Sequence, residues 1–220
     1  MRAIIFDLDG TLFQTEKIVI PAFQKAFIWL KEQGKYHGKI PTEEEILAVT
    51  GDTIDHLWDR LLPNADIQVK ETMNKKALEI ELELLNKGKG ELYPGVIDTL
   101  NQLLKEGWNL FIASNGLGPY VKGVLHAKGI DSLFTEIYAA GEAGTKSKVD
   151  LVYKCIEAHQ ITKGYMVGDR SSDVEAGKKN QLCVIGCQYA NFPQFGEVDE
   201  LKDADIKIKS INELLKVITP

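Results

Sequence analysis

Two aspartates near the start of the chain have the type and spacing that metal-assisted chemistry needs. The apolar run Ala3–Phe6 ends at Asp7, and a second carboxylate, Asp9, follows two positions later, just before Gly10. Side chains alternate along a strand, so Asp7 and Asp9 are expected on one side while the chain stays extended. Crowded carboxylates repel each other unless a cation or a shared proton compensates them. Oxygen ligands at this density suit a hard ion, so the sequence predicts a Mg²⁺ site.

The elements that position these aspartates follow from the alternation of apolar and amphipathic segments. Residues 3–6 predict a buried strand of a parallel sheet, covered on both faces. Further strands are predicted at 108–113, 135–139, 164–167 and 182–185, with an exposed edge strand at 205–209 and helices between them. Strands that alternate with helices predict an α/β fold with a doubly wound parallel sheet.

Residues 14–86 interrupt this alternation, because their spacing is helical and contains no convincing strand. Helices are predicted at 16–33, 43–49, 52–62 and 69–86. Thr42 and Glu45 have the spacing of a capping box at the second of them. An all-helical insertion directly after the first strand predicts an α-helical cap at 14–86, and a catalytic core formed by 1–13 and 87–220.

Composition and charge narrow the classes of partner. The 220 residues are 44% hydrophobic and 26% charged, which permits a folded core, and the net charge of −6 disfavours a nucleic-acid binder. The three cysteines form no disulfide or zinc pattern, and no segment resembles a signal peptide or a membrane span. We therefore expect a cytoplasmic protein that binds neither a membrane nor nucleic acid. The negative net charge does not exclude a small phosphorylated metabolite as substrate, because such a ligand needs only a local positive pocket. The sequence leaves the oligomeric state open, and a monomer is compatible with it.

Polar side chains also follow two other predicted strands. Ser114, Asn115 and Gly116 come directly after residues 110–113, and a carboxylate-rich turn containing Asp169 follows residues 165–167. Ligands of open α/β sheets bind at the carboxyl ends of the strands. A hydroxyl, an amide and several carboxylates gathered there suit a phosphate group held against a magnesium ion.

These segments together resemble the haloacid dehalogenase superfamily in its phosphatase form. Residues 6–12, Phe-Asp-Leu-Asp-Gly-Thr-Leu, are similar to its first motif, Ser114 with its Asn-Gly to the second, and Gly168-Asp169-x-x-x-Asp173 to the fourth. The helical insertion is similar to a cap of the α-helical kind. The resemblance covers the whole chain and is nearest to the phosphoglycolate phosphatase-like group.

The third motif is a lysine with two candidates in this chain. Lys146 takes the register of relatives with Lys-Pro-x-Pro, although both prolines are absent here. Lys148 fits the variant without prolines and is the preferred candidate, with Lys146 as the alternative.

The resemblance implies a role for each matching residue. Asp7 would be the nucleophile and Asp9 the general acid and base. Ser114 and the lysine would hold the phosphoryl oxygens. The remaining implied residues are Asn115, Gly116 and Gly10 for substrate binding, and Asp7, the Asp9 carbonyl, Asp169 and Asp173 for Mg²⁺. Arg170, beside the metal site, is expected to be a solvated side chain.

The expected function is Mg²⁺-dependent hydrolysis of a small phosphate monoester, phosphoglycolate-like or a sugar phosphate, through an aspartyl-phosphate. The first alternative is a phosphomutase of the β-phosphoglucomutase type, which would share every motif. A haloacid dehalogenase is less consistent with the chain, since its chemistry needs neither Asp9 nor Asp169. A regulatory protein on an inactive scaffold is a further alternative, although no catalytic group is missing.

Overall fold

Parallel strands form the centre of the molecule. The structure, a computed structural model, describes residues 1–140, 142, 145, 147–190, 192–193 and 199–218. The described strands are β1 (Arg2–Phe6), β2 (Asn109–Leu117), β3 (Glu136–Ala140), β4 (Lys163–Gly168), β5 (Cys183–Cys187) and β6 (Ile206–Ile208). They form one parallel sheet in the order β3-β2-β1-β4-β5-β6, with the predicted edge strand β6 at one end.

The first strand lies inside this sheet, between β2 and β4, and is buried on both faces. Ile4 and Phe6 belong to the larger hydrophobic cluster on one face, whereas Ala3 and Ile5 belong to the cluster on the other. This alternation explains why the segment is continuously apolar. The predicted α/β fold with a doubly wound parallel sheet is confirmed.

Helices cover the sheet and form the insertion. The insertion contains α1 (Glu16–Glu32), α2 (Glu43–Leu47), α3 (Ile54–Leu61) and α4 (Ile67–Asn86). The core contains α5 (Val96–Lys105), α6 (Gly118–Ala127), α7 (Lys148–His159), α8 (Ser171–Lys179) and α9 (Leu214–Val217), with short 3₁₀ turns at Asp131–Leu133 and Ile211–Glu213.

Aromatic packing holds the insertion together. Phe23 of α1 stacks on Trp58 of α3 with ring centroids 5.2 Å apart, and the Trp58 indole donates to Asn74 of α4. The capping box predicted at Thr42 and Glu45 is present at the start of α2. Within the described part of the chain, no helix is both long enough and apolar enough to cross a membrane.

The carboxyl end of β2 lies further along the chain than predicted, and this changes the setting of the Ser114 segment. The second strand was expected to end at residue 113, but β2 continues to Leu117. Its pairing with β3 shifts register between Ser114 and Leu117, so the ladder is irregular over these residues. The polar residues Ser114 and Asn115 therefore lie within an irregular strand end rather than in a loop after it.

Candidate active site

The first aspartate lies at the carboxyl end of β1 and is almost completely buried. The Asp7 amide donates to the Val167 carbonyl at 2.9 Å, so the backbone is still in register with β4 at this point. The chain turns immediately afterwards, because Leu12 N donates to Leu8 O at 2.9 Å. One oxygen of Asp7, Oδ1, accepts the Leu8 amide at 2.8 Å, and this fixes the orientation of the carboxylate.

Two further carboxylates reach the same place from the end of β4 and the start of α8. Carboxylate oxygens of Asp7, Asp169 and Asp173 all lie within 4.8 Å of one another. Gly10 makes this approach possible: its φ is +71°, and a Cβ there would lie 2.3 Å from Asp169 Oδ2. Thr11 donates to Asp169 Oδ1 at 3.0 Å and orients it. Three buried oxygen donors at this spacing fit a hard divalent cation.

Lys148 joins two of these carboxylates. Its Nζ lies 2.8 Å from Asp7 Oδ2 and 2.6 Å from Asp173 Oδ1, and all three side chains are at most 4% exposed. Lys148 is held at the first position of α7, where the Ser147 hydroxyl caps the helix by accepting from Asp150 N. Lys148, the preferred candidate, therefore lies at the cluster. The alternative, Lys146, lies outside the described residues.

Negative charge is in excess in this cluster. Burial is the largest cause that raises the pKa of Asp7, to about 7, against the opposing effect of Lys148. Burial and the neighbouring Asp173 and Asp7 raise the pKa of Asp169 well above its ordinary value. Burial alone would lower the pKa of Lys148, but Asp173 and Asp7 outweigh it and raise that pKa. Carboxylates that favour protonation in this way are the groups whose ionised form a bound cation would stabilise.

The second motif aspartate faces away from this cluster and toward the insertion. Asp9 Oδ1 accepts from the Thr15 hydroxyl at 2.5 Å and from the Tyr120 hydroxyl at 2.8 Å. Burial raises the pKa of Asp9, although both hydrogen bonds oppose the rise. The Asp9 carboxylate is thus suited to carry a proton, and its side chain does not belong to the described metal-ligand cluster.

The irregular end of β2 brings the segment Ser114-Asn115-Gly116 to the site. Ser114 is 1% exposed, and its Oγ accepts from Gly116 N at 3.1 Å. The Asn115 amide donates to the carbonyl of Gly51, in the loop between α2 and α3, at 3.2 Å. The insertion therefore contacts the core directly at this strand end.

Arg170 makes a second link between the insertion and the core, and the expectation of a solvated side chain is wrong. Its side chain is 3% exposed and pairs with Glu200 at 2.9 Å. Nη2 donates to the Thr50 carbonyl of the insertion at 2.9 Å, and Nη1 donates to the Pro193 carbonyl at 2.7 Å. The guanidinium is buried because carbonyls from distant segments converge on it, which spacing along the chain does not reveal.

A cavity of about 70 Å³ lies between the insertion and the core, beside Asp9. Its insertion side includes Phe23 of α1 and Glu81 of α4, and its core side includes Asn115 and Tyr120. Burial and the charge of Asp9 raise the pKa of Glu81 to about 8. The cavity therefore lies next to the residues that the sequence predicts to be catalytic.

Sequence reasoning missed three residues that contact the site. Tyr120 and Thr15 hold Asp9, and Glu81 faces it across the cavity. The sequence contains a weak indication of Tyr120, since this residue lies in the first turn of the helix that follows the Ser114 segment. Nothing in the sequence indicated Glu81, because its position depends on how α4 packs over the core.

Comparison with known proteins identifies relatives that match nearly the whole chain. One relative, a phosphoglycolate phosphatase of Shigella dysenteriae, is 27% identical over 99% of this chain and 92% of its own length. Another, pyrophosphatase PpaX of Listeria monocytogenes, is 23% identical over 99% of this chain and 96% of its own. A crystal structure of a predicted phosphoglycolate phosphatase from Haemophilus somnus superposes with a TM-score of 0.84 at 21% identity, covering 98% and 96% of the two chains.

The family itself is identified by a match that covers most of the chain. Residues 4–187 match the haloacid dehalogenase-like hydrolase family, and this span includes all three strand ends that carry the site. The resemblance noted in the sequence and the expected enzyme class are confirmed, and the chain belongs to the haloacid dehalogenase-like hydrolases.

Proposed function

We propose that the protein is a Mg²⁺-dependent phosphatase that hydrolyses a small phosphate monoester through an aspartyl-phosphate at Asp7. The observation that carries the proposal is the buried cluster in which Lys148 contacts both Asp7 and Asp173, with Asp169 beside them. The names of the relatives, a phosphoglycolate phosphatase and a pyrophosphatase, support phosphate chemistry for this site.

Asp7, Asp169 and Asp173, with the backbone carbonyl of Asp9, would hold the magnesium ion. The bound ion would supply positive charge that lowers the repulsion between the Asp7 carboxylate and an anionic phosphoryl group. Thr11 keeps Asp169 oriented, and the Leu8 amide does the same for Asp7. Such preorganisation means that little reorientation is needed when the substrate binds.

Asp7 would attack phosphorus while the bond from phosphorus to the leaving oxygen breaks. Lys148 Nζ, already 2.8 Å from Asp7, would lie beside the phosphoryl oxygens and offset the charge that develops on them. Ser114, with the adjacent Asn115 and Gly116, and Gly10 on the opposite loop would complete the phosphate pocket.

Asp9 would transfer the protons. It would first donate a proton to the leaving oxygen, and its carboxylate would then take a proton from the water that attacks the aspartyl-phosphate. That second attack releases inorganic phosphate and regenerates Asp7. Tyr120 and Thr15 act as positioning residues, because both donate to the same Asp9 oxygen and leave the other one for the proton.

Residues 14–86 are proposed as the cap that selects the rest of the substrate, with 1–13 and 87–220 as the catalytic core. The hydrogen bonds from Asn115 to Gly51 and from Arg170 to Thr50 support a cap that closes over the site. Closure would exclude water and strengthen the electrostatic interactions around Asp7.

The nucleophile is tested by the Asp7→Asn variant. An amide is a very poor nucleophile, so turnover of p-nitrophenyl phosphate and of the smaller acetyl phosphate is expected to vanish while the circular dichroism spectrum is unchanged. The parent protein should require Mg²⁺ and should release inorganic phosphate.

Appreciable Mg²⁺-dependent activity in the Asp7→Asn variant would refute Asp7 as nucleophile. An inactive parent would favour a regulatory scaffold. Transfer of phosphate to a second position of a sugar phosphate would favour the phosphomutase.

The lysine is tested by comparing Lys148→Ala with Lys146→Ala. Loss of one preorganised donor to a developing charge is expected to lower kcat by about 10² or more in the first variant. The second variant should retain nearly parental kcat under the same Mg²⁺ concentration. A large loss at Lys146 together with a small one at Lys148 would reassign the motif.

The metal cluster is tested by thermal unfolding. Asp7 has a pKa that folding raises from 3.8 to about 7, so its contribution to stability is present at low pH and is lost as the pH rises through that range. The metal-free protein should therefore become less stable between about pH 4 and about pH 7. Mg²⁺ at roughly 100 times its Kd should restore about 2 to 3 kcal/mol at the higher pH, and less at the lower pH.

Asp169→Asn provides the control for this measurement. The substitution removes a buried carboxyl group whose ionisation is unfavourable, but keeps an acceptor for Thr11. The metal-free variant should therefore unfold at a higher temperature than the parent and should respond little to Mg²⁺. Exposed Asp203, changed to Asn, should leave the Mg²⁺ response intact. An Asp169→Asn protein that Mg²⁺ stabilises as much as the parent would place the ion elsewhere.

A further inference from the structure

If the protein is the proposed phosphatase, the volume and the lining of the cavity beside Asp9 indicate which leaving groups fit there. Much of its wall is apolar, with Phe23 of α1, Leu57 of α3 and Ala77 of α4 on the insertion side. At about 70 Å³ it has room for a group of only a few heavy atoms. A compact leaving group, rather than a nucleotide or a long chain, fits this space.

The ionisable carboxyl groups around the cavity have no basic counterpart among its described lining residues. Asp9, Asp52 and Glu81 line it, and none of its described lining residues is a lysine, an arginine or a histidine. His56 lies 3.3 Å from Asp52, but its side chain is largely exposed to solvent. Lys148, in turn, is occupied by Asp7 and Asp173 at the phosphate end of the site. A carboxylate or a second phosphate in the leaving group would therefore be buried against acidic side chains without a compensating cation.

Glu81 is the acidic side chain that remains available to a ligand. Asp9 already accepts from Thr15 and Tyr120, and Asp52 accepts from the Thr53 amide. No such hydrogen bond or ion pair involves Glu81 within the described part of the chain. A carboxyl group that faces the cavity without a protein partner is available to bond a ligand placed there.

We infer that the substrate is the phosphate monoester of a small alcohol that carries no negative charge, and that Glu81 recognises a hydroxyl or ammonium group on this alcohol. The inference rests on the proposed function and narrows it, since it disfavours monoesters whose leaving group carries a carboxylate. Burial and the charge of Asp9 favour the protonated form of Glu81, which can both donate to and accept from a hydroxyl.

The test uses three substrates whose leaving groups have the same carbon chain and differ in charge. They are 2-hydroxyethyl phosphate, O-phosphoethanolamine and 2-phosphoglycolate, and kcat/KM is measured for each with the full chain and Mg²⁺. We expect 2-phosphoglycolate to be about tenfold poorer, or worse, than the better of the other two, because its carboxylate would be buried in a cavity whose described lining offers it no cation. Preference for the neutral or for the cationic member tells whether Glu81 binds as an acid or as a carboxylate.

Substitutions at Glu81 provide the second arm. Glu81→Lys should improve 2-phosphoglycolate relative to 2-hydroxyethyl phosphate by about tenfold, and Glu81→Gln should narrow the discrimination against 2-phosphoglycolate. Glu79→Lys and Glu79→Gln are matched controls on the same helix, since Glu79 is exposed and pairs with Lys76. Both controls should keep the parental ranking.

The outcomes separate this inference from the proposed function. Acetyl phosphate serves as the reference, and its Mg²⁺-dependent hydrolysis shows that the catalytic groups work. If it is hydrolysed but 2-phosphoglycolate equals or exceeds both other substrates, the inference is overturned and the phosphatase assignment survives. Equal changes of ranking in the Glu81 and Glu79 variants would also overturn it. Absence of any Mg²⁺-dependent hydrolysis would instead reject the proposed function. Should Glu81→Lys fail to fold, the parental ranking and Glu81→Gln decide the question.

Discussion

The site depends on one electrostatic constraint, the burial of several carboxylates around a single lysine. Asp7, Asp169 and Asp173 meet within 4.8 Å, and Lys148 contacts two of them. Left uncompensated, such a cluster opposes folding, and the raised pKa of Asp7 records that cost. The same excess of negative charge makes the place receptive to a divalent cation and, through that cation, to a phosphate group. Stability is thus exchanged for binding capacity, as is common at functional sites.

The fold meets this constraint by bringing strand ends together and by placing the insertion over them. Parallel strands β1, β2 and β4 end at one edge of the sheet, so residues far apart in the chain lie side by side. Arg170 and Asn115 then connect this edge to carbonyls of the insertion. In consequence Asp9 is enclosed by groups from both parts: Tyr120 from the core holds it, and Glu81 from α4 faces it. We propose that the strand ends carry the phosphate chemistry and that the insertion contributes to recognition of the leaving group.

The sequence predicted the core of this arrangement and little of its surroundings, for a physical reason. Asp7 and Asp169 follow apolar runs directly, so strand topology alone brings them together, and the lysine near the start of α7 could be narrowed to two candidates. The environment of Arg170 was missed, because its burial results from carbonyls supplied by segments more than twenty residues away. Glu81 was missed for the same reason, since no local pattern on α4 distinguishes it from its charged neighbours. The spacing of residues along the chain predicts which side chains lie at a strand end. The packing of the insertion against the core decides which other side chains face them.

We propose that Asp7 becomes phosphorylated during turnover. Trapping the aspartyl-phosphate is the most direct test of this mechanism. The protein is mixed with acetyl phosphate and Mg²⁺, quenched, reduced with borohydride and digested, and the peptides are analysed by mass spectrometry. Borohydride converts an aspartyl-phosphate to homoserine, so we expect homoserine at position 7 only when Mg²⁺ and acetyl phosphate are both present. Asp7 would not be the nucleophile if Asp9 were modified instead, if a phosphoryl group were found on Ser114, or if steady turnover left Asp7 unmodified throughout.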